Sequence, residues 1–333
     1  MFKAGVSPPY SIRNIISKST RMCNHFLIIF LLFFLIIFPR EVLNAARDGL
    51  LLWFNNVLPA LLPFIVTVNL LTAMGVVRLV SKWAGPAMAR AFNLPGAGGF
   101  ALITGLVAGY PMGAKTVAEL WRAKEISARE AQRLLAFCNN AGPLFIVGVV
   151  GTGLLMDSAA GYVLWAGHVA AALIVGLLTR GPKPAKSSRA WSNPSTVYAS
   201  LPDDFNLSQA LGEAVRNAME ALILVGGLII FFSVVVQMIM IFAGGVPYAG
   251  LLAGIIEITG GVKALADASA GVVSPGLMAA VGGVIGFGGL SVHAQALHFT
   301  SDTGVKAWVY IMHKALNGLV AAGVTGLIWY LYT

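Results

Sequence analysis

The sequence predicts an all-α polytopic membrane protein, and three observations support that fold class. Of the 333 residues, 58% are hydrophobic and 11% are charged, whereas soluble domains contain roughly 25% charged residues. The mean hydropathy is +0.82. The chain contains 38 glycines, a residue that is frequent in transmembrane segments and lets helices pack closely. This composition excludes a soluble globular enzyme.

The basic residues indicate membrane topology. The formal net charge is +9, and 18 of the 22 Lys and Arg residues occur at or before Arg189. They cluster beside apolar segments, as the positive-inside rule expects of cytoplasmic loops. No cluster contains interleaved aromatic residues that would stack on bases. We therefore expect the lipid bilayer as the environment of the chain, and no nucleic acid as a partner.

The sequence lacks the motifs of catalysis, metal binding and cofactor binding. Cys23 and Cys138 lie far apart in apolar contexts, without the spacing of a disulfide framework or a metal site. An H-E-x-x-H motif, a GxSG serine and a Walker or Rossmann phosphate loop are all missing. We expect a protein that is not an enzyme and that needs neither a cofactor nor a metal.

Residues 1–48 are predicted to form a cytoplasmic N-terminus and the first transmembrane helix. The stretch 25–38 (HFLIIFLLFFLIIF) is apolar and free of charge, and a basic segment precedes it. A signal peptide is the alternative interpretation. Because no small-residue cleavage site follows this stretch, we expect a retained helix and a cytoplasmic N-terminus.

Residues 49–179 are predicted to form a first repeat. Proline and glycine interrupt several of its apolar runs, and such interruptions mark bent or broken helices. Irregular backbone at membrane depth is tolerated only where it is buried in protein or lines a cavity. The predicted elements are a bent span at 49–77, an interfacial helix at 81–93, a re-entrant hairpin at 96–122 with its tip at 109–113, a span at 131–155 that is broken at 139–143, and a span at 161–178.

Residues 180–208 are predicted to form a cytoplasmic linker, because the stretch is polar and rich in proline and serine. Residues 209–333 are predicted to form a second repeat. Its elements are a long span at 213–242, a short apolar segment at 248–259, a second glycine-broken hairpin at 272–297 and a last span at 306–330.

The two halves align without gaps in one register. Gly109 and Gly286 stand 177 positions apart, as do Asn140 and Asn317. With a cytoplasmic N-terminus, the span from residue 49 runs inward and its counterpart from residue 213 runs outward, so the repeats are inverted. Inverted repeats with interrupted segments in corresponding positions indicate a secondary transporter whose site lies near the membrane midplane.

Five stretches resemble the sporulation integral membrane proteins of the YlbJ type, which belong to the nucleoside-transporter and FeoB Gate-domain group. These stretches are GLLLWFNNVLPALLPF at 49–64, GGFALITGLVAGYPMGAK at 98–115, FCNNAGPLF at 137–145, EITGG at 257–261 and GFGGLSVHAQ at 286–295. The resemblance implies a Gate-type transporter fold with paired helical hairpins around a small planar solute. It also implies a role in endospore formation, with dipicolinate carried out of the mother cell toward the forespore.

Other functions remain open at this point. The resemblance equally allows a carrier of another metabolite, such as a nucleoside, and a non-transporting membrane scaffold of sporulation is a further alternative. We expect a multi-pass protein of the cell membrane, in the mother-cell or outer forespore membrane. A coupling proton or cation and a homo-oligomeric assembly are open expectations.

Ionisable and polar groups inside apolar segments are the candidate solute ligands, because such groups are costly in a membrane. Glu257 and Thr259 stand beside a Gly-Gly break, where the carboxylate can bind a coupling proton or cation; helix capping is the alternative role of Glu257. Lys115 follows the first hairpin tip and can meet a carboxylate of the solute, or it extends toward the membrane surface.

Further candidates follow the second break and the broken span. Ser291 and Gln295 share a helix face at i and i+4, whereas His293 converges with them only if the segment is not helical. Lys314 is interpreted as an anion contact or as the partner of a carboxylate such as Glu220. The remaining candidates are Asn139, Asn140, Asn317 and Tyr110, the last of which would lie over the ring of a planar solute.

Overall fold

The computed structural model describes residue 25 and residues 28–182, 206–243 and 249–333. The predicted cytoplasmic N-terminus and most of the predicted linker lie outside the described residues. Within these ranges the regular elements are all helices. Four helices are long and apolar enough to cross a membrane, or five spans if one sharply bent pair is counted. The predicted all-α polytopic membrane fold is confirmed.

The helices are numbered α1 to α14 in chain order, and three π-helical segments, with i to i+5 hydrogen bonds, interrupt or extend them. The α-helices are α1 (Ile28–Ile37), α2 (Pro39–Leu52), α3 (Leu58–Ala73), α4 (Val76–Ala87), α5 (Ala97–Val107), α6 (Met112–Arg122), α7 (Ala128–Cys138), α8 (Ser158–Leu178), α9 (Leu207–Ala243), α10 (Ala249–Ile256), α11 (Ile258–Ala268), α12 (Pro275–Phe287), α13 (Gly289–Phe299) and α14 (Ala307–Tyr332). The π-helical segments are Trp53–Val57, Met88–Phe92 and Leu144–Leu154.

The described part of the first apolar stretch, residues 28–37, forms helix α1. Helix α1 is followed at Pro39 by a bend of 104° into α2. A helix of this length covers about 15 Å, half of the roughly 30 Å hydrocarbon thickness. The described part of this helix is shorter than that thickness, and together with α2 it forms the bent pair that can be counted as one span.

Helices α2 and α3 pack in antiparallel fashion along α9. The Trp53 indole donates to the carbonyl of Leu222 at 3.0 Å, and the Asn69 amide donates to the carbonyl of Ala214 at 3.1 Å. From residue 53 to residue 69 the chain thus runs past α9 from residue 222 back to residue 214, in the opposite direction. This pairing joins the two halves of the chain.

Helices α5 and α6 form the predicted re-entrant hairpin. A Cβ built at Gly105 would lie 3.4 Å from the Cα of Gly113, and at both positions a Cβ would lie within 2 Å of the Cys138 carbonyl oxygen. The chain therefore reverses between α5 and α6, and both arms press against α7. Each arm contains 11 residues, or about 16 Å of helix, so the tip lies near the middle of the bilayer.

The predicted broken span is also present. Ser127 and Glu130 form a capping box at the start of α7, which satisfies two of its free N–H groups. The helix ends at Cys138, because Asn139 adopts an extended conformation. A π-helical segment then begins at Leu144 and continues the path.

The second hairpin lies where the sequence indicated only a short apolar segment. Helices α10 and α11 reverse direction at Glu257. A Cβ at Gly261 would lie 2.1 Å from the Cα of Gly254, and one at Gly250 would lie 3.1 Å from the backbone of Leu265. The missing side chains allow these two short helices to touch backbone to backbone.

The predicted hairpin at 272–297 is wrong. Gly286 packs on Asn317 and Gly318 of α14, and further along α13 the ring of His293 lies 5.2 Å from that of Tyr310. Successive residues of α12 and α13 thus contact successively earlier residues of α14, before and after the break. The chain does not reverse there, so α12 and α13 form one discontinuous span. Gly288 and Gly289 both have positive φ angles, which glycine adopts without strain, and the chain continues past them in the same direction.

The internal repeat has a different register from the predicted one. Tyr110 at the first tip and Glu257 at the second stand 147 positions apart, as do Gly142 and Gly289 at the two span breaks. In this register α5/α6 corresponds to α10/α11, the broken α7 span to α12/α13, and α8 to α14. The 177-residue register is wrong because it pairs the first hairpin with the second broken span.

The two hairpins open toward opposite faces of the molecule. On one face, the Arg122 guanidinium binds the Asp302 carboxylate at 2.8 and 2.9 Å, and the backbone N–H of Lys306 donates to Gln132. We call this the basic face, because the helix ends that meet there carry Arg122, Arg129, Arg133, Arg180 and Lys306.

The second hairpin opens at the other face. Helix α14 starts on the basic face and ends near Trp329, whose indole donates to the carbonyl of Val273 at 2.9 Å, just before α12. The end of α11 lies a few residues earlier in the chain. Helices α5/α6 therefore enter and leave at the basic face, α10/α11 enter and leave at the opposite face, and the repeats are inverted as predicted.

Candidate functional site

Both hairpin tips and both span breaks converge on one cleft between the repeats. The cleft is partly open to solvent. Irregular backbone near the bilayer middle is thus placed against a cavity, where it is tolerated. The walls are largely apolar, and α3 and α9 close the sides. The polar side chains and tip glycines that line the cleft are Asn56, Gly109, Tyr110, Gly142, Glu257, Thr259, Ser291 and Gln295.

Glu257 caps a helix at the second tip. Its carboxylate accepts a hydrogen bond from the N–H of Gly260 at 2.7 Å, which makes it the N-cap of α11. The side chain is buried, and the positive end of the α11 dipole offsets its charge. The capping role considered from the sequence is therefore present, and the same residue lines the cleft.

Helix α13 presents neutral polar groups to the cleft. Ser291 stands in its first turn and Gln295 one turn later, on the same face. Both side chains are buried, and neither makes a hydrogen bond to another described residue. The Ser291 hydroxyl and the Gln295 amide are therefore free to hydrogen-bond a molecule in the cleft.

Two of the helical segments that begin at the cleft have no side-chain cap. These are α13, which starts after Gly288, and the π-helical segment at Leu144. The first N–H groups of a helix are unsatisfied inside the helix and carry partial positive charge. Such helix starts favour an anionic group of a bound molecule.

The structure brings five of the ten predicted ligands to the cleft. Tyr110 and Glu257 stand at the two tips, Thr259 begins α11, and Ser291 and Gln295 lie on α13. The Tyr110 hydroxyl is buried without a hydrogen-bond partner. As expected for a helical segment, His293 points away from Ser291 and Gln295.

Four predicted ligands lie outside the cleft, in a fully buried polar group that includes Lys314. The Asn139 amide donates to the Tyr310 hydroxyl at 2.8 Å, and the Lys314 ammonium donates to the Asn139 carbonyl at 2.9 Å. His293 packs edge-on against Tyr310. Asn140 and Asn317 are also fully buried. The Lys314 side chain links α14 to the break after Cys138, and none of these side chains lines the cleft.

Lys115 is placed in a second, polar cavity. This cavity lies between α6, α9 and α13 and is partly open to solvent. The Lys115 ammonium lies 4.0 Å from the Glu119 carboxylate, and Glu220 and His298 also line the space. Lys115 and Glu220 are therefore neighbours of this cavity, and Glu220 is not the partner of Lys314.

Asn56 is the polar cleft residue that we did not predict. It belongs to the π-helical segment between α2 and α3, and π-helical segments occur often at functional sites. An asparagine inside an apolar run is the signal that could have identified it, because an amide is costly in a membrane.

The described ranges contain no group of three or more His, Cys, Asp or Glu side chains that could hold a metal ion. The free thiol of Cys138 is buried.

The fold and the cleft define a class of protein: a polytopic helical membrane protein with two inverted hairpin repeats around a central cleft. Comparison with known sequences agrees with this class. Residues 54–154 match the family profile described as Gate: nucleoside recognition. No solved structure matches the chain.

A curated relative places the chain in a particular family. The chain is 32% identical over 324 residues to the sporulation integral membrane protein YlbJ of Bacillus subtilis (strain 168), covering 87% of this chain and 78% of the relative. The chain therefore belongs to the YlbJ family of sporulation integral membrane proteins.

Proposed function

We propose that the protein is a transporter and that the cleft between the hairpin tips binds its solute. One observation carries this proposal: both tips and both span breaks, which are distant in sequence, line the same cleft. In secondary transporters, discontinuous helices at the interface of inverted repeats form the solute site. Rocking of one repeat against the other would open the cleft to either face.

The chemistry of the cleft supports a small, planar, anionic solute such as dipicolinate. Apolar walls and the Tyr110 ring suit a flat ring. The uncapped starts of α13 and of the π-helical segment suit carboxylates. Ser291 and Gln295 would donate hydrogen bonds to the same groups.

A nucleoside is the second candidate solute. The family profile that matches residues 54–154 is named for nucleoside recognition. The Glu257 carboxylate and the neutral amides of Asn56 and Gln295 would bind sugar hydroxyls and base edges equally well. The two candidate solutes therefore differ in their interaction with the Glu257 carboxylate, which would repel a dicarboxylate but accept hydrogen bonds from a nucleoside.

The family membership supports action during sporulation, in the mother-cell or outer forespore membrane. The basic face would be cytoplasmic, because basic loops stay inside. The proposed direction of dipicolinate movement is out of the mother cell.

Calorimetric binding to purified protein tests the solute and the site together. We expect saturable binding of dipicolinate to the wild type. The Ser291→Ala, Gln295→Ala double variant should bind at least about tenfold more weakly, because each lost hydrogen bond to a charged group is worth about 1.5–3 kcal/mol.

Lys263→Met is the matched control, because Lys263 pairs with Asp267 on an exposed surface of α11. It should bind like the wild type. Uridine is titrated in parallel, and tighter binding of uridine would select the nucleoside instead. Wild-type protein that binds neither compound would contradict the proposal.

A further inference from the structure

Lys314 is a fully buried lysine in the middle of the protein. It lies on α14, and its side-chain nitrogen donates one hydrogen bond, to the carbonyl oxygen of Asn139 at 2.9 Å. Asn139 is the residue at which the broken α7 span ends. The ammonium therefore ties the last helix of the second repeat to the break in the first.

No carboxylate neutralises this ammonium among the described residues. Their ion pairs are Lys115–Glu119, Arg122–Asp302 and Lys263–Asp267, and none includes Lys314. An isolated ion away from water is very costly, and such a group tends to become neutral instead. Lysine shifts readily between its charged and neutral forms when it is buried.

The titratable side chains around Lys314 come from several neighbouring elements, and none of them forms a carboxylate ion pair with it. Helix α7 presents Cys138, α8 presents His168 and α13 presents His293, each close enough to interact with the ammonium. Tyr310 and His313 are on its own helix, and α12 carries no titratable residue. Lys314 is thus the one amine in a neutral polar interior of the described chain.

Several polar atoms around Lys314 have no hydrogen-bond partner although they are fully enclosed. They are the side-chain oxygens of Asn139 and Asn140, both ring nitrogens of His293, and the amide of Asn317. Leaving such atoms unpaired is costly. These atoms can form hydrogen bonds with a water molecule that brings a proton to Lys314.

The geometry connects this interior to the cleft. At Gly288, in the second break, a built Cβ would lie 3.8 Å from the Lys314 Cε and 3.9 Å from the His293 Cε1. Val292, the residue before His293, lines the cleft. The break that shapes the solute site therefore also touches the buried amine and the imidazole beside it.

We propose that Lys314 is the proton-binding residue that couples solute movement to a proton gradient. The neutral amine accepts one proton on its nitrogen from water at one face and releases that proton to the other face. As an ammonium it donates a stronger, charge-assisted hydrogen bond to the Asn139 carbonyl than it does as an amine, and it then holds the two breaks together more tightly. This inference rests on the proposed transport function and names its coupling ion and residue.

Direct contact with a carboxylate of the solute is less compatible with the geometry. Lys314 is not among the residues that line the cleft, and its Nζ is already bonded and fully enclosed. A proton can reach such a site where a dicarboxylate cannot.

Vesicles that contain the purified full-length protein test the proposal with labelled dipicolinate. The wild type should accumulate dipicolinate severalfold above equilibrium when a pH gradient is imposed, and only equilibrate it without one. Lys314→Met and Lys314→Arg should only equilibrate it under both conditions. Solute exchange without a gradient should stay within about threefold of the wild type, because exchange needs no net change in protonation.

The arginine variant keeps a cation and a donor for the Asn139 carbonyl but does not lose its proton, so it separates titration from structural support. Proton uptake on dipicolinate binding, measured in weakly buffered solution, should be close to one in the wild type and in Lys263→Met, and absent in both Lys314 variants. If one variant fails to fold, the other decides.

Three results would overturn the proposal: gradient-driven accumulation by a Lys314 variant, loss of dipicolinate binding in both variants, or wild-type transport that ignores the pH gradient and takes up no proton. Wild-type protein that neither binds nor exchanges dipicolinate or uridine would instead contradict the transport function itself.

Discussion

Single residues at the two tips decide what the cleft can bind. Glu257 is the one charged side chain among the described residues that line it, and its carboxylate is held by the N–H of Gly260. A negative charge next to a dicarboxylate is repulsive, whereas a nucleoside hydroxyl would donate to it. The residue therefore distinguishes the two candidate solutes.

We expect Glu257→Gln to bind dipicolinate at least as tightly as the wild type and to bind uridine several times more weakly. The amide oxygen can still accept from Gly260, so the hairpin should remain folded. Calorimetric titration of both compounds measures the change. Weaker dipicolinate binding by a folded Glu257→Gln protein would show that the carboxylate supports this solute.

The capping role has a separate consequence. Glu257→Ala removes the acceptor at the start of α11, and loss of an N-cap costs about 1 kcal/mol of stability. We expect a lower thermal unfolding midpoint than in Glu257→Gln. Equal midpoints for the two variants would mean that the cap is not needed.

At the scale of an element, the α10/α11 hairpin depends on one backbone contact. A Cβ at Gly261 would lie 2.1 Å from the Cα of Gly254, whereas a Cβ at the adjacent Gly260 would meet nothing closer than the Glu257 carboxylate at 3.4 Å. A methyl group can be added at Gly260 without moving backbone, but not at Gly261.

Gly261→Ala should therefore destabilise the protein by about 1–3 kcal/mol, the usual cost of overpacking, and weaken solute binding because the second tip moves. Gly260→Ala is the matched control and should behave like the wild type in thermal unfolding and in binding. Equal stability of the two variants would argue against the tight crossing.

Most helical elements could be predicted from the sequence, because their signals are local. Proline and glycine interruptions marked the α5/α6 hairpin and the break after Cys138, and uninterrupted apolar runs marked α8, α9 and α14. The second hairpin could not be predicted, because its turn at Glu257 contains neither proline nor glycine. The glycines that permit it lie on the facing sides of its two arms.

Glycine breaks have two structural outcomes that look alike in a sequence. At the 108–111 tip the chain reverses, whereas at Gly288 it continues along α14. The difference depends on tertiary contacts. For the same reason the candidate site was found only in part: Ser291 and Gln295 reach the cleft, while Asn139 and Asn140 turn into the interior beside Lys314.

At the scale of the whole molecule, the Arg122–Asp302 pair joins the loop after the first hairpin to the loop after the second broken span. Its hydrogen bonds hold the pKa of the exposed Asp302 carboxyl below the usual range. These loops must lie on one side of the membrane, and residues 156 and 272 on the other.

Introduced cysteines in a Cys23→Ser background, where the remaining Cys138 thiol is buried, test this topology in sealed vesicles. We expect Lys124→Cys and Ser301→Cys to react with an impermeant maleimide from the same side. Met156→Cys and Val272→Cys should react only from the opposite side. Labelling of all four from one side would contradict the inverted repeats.

Uptake of labelled dipicolinate into vesicles with the purified wild-type protein tests the central claim, that the cleft carries a solute across the membrane. We predict saturable uptake above that of protein-free vesicles. The Ser291→Ala, Gln295→Ala double variant should lower uptake at limiting dipicolinate at least about tenfold, and Lys263→Met should leave it unchanged. Uptake by the double variant equal to that of the wild type, or wild-type uptake no faster than in empty vesicles, would contradict the account.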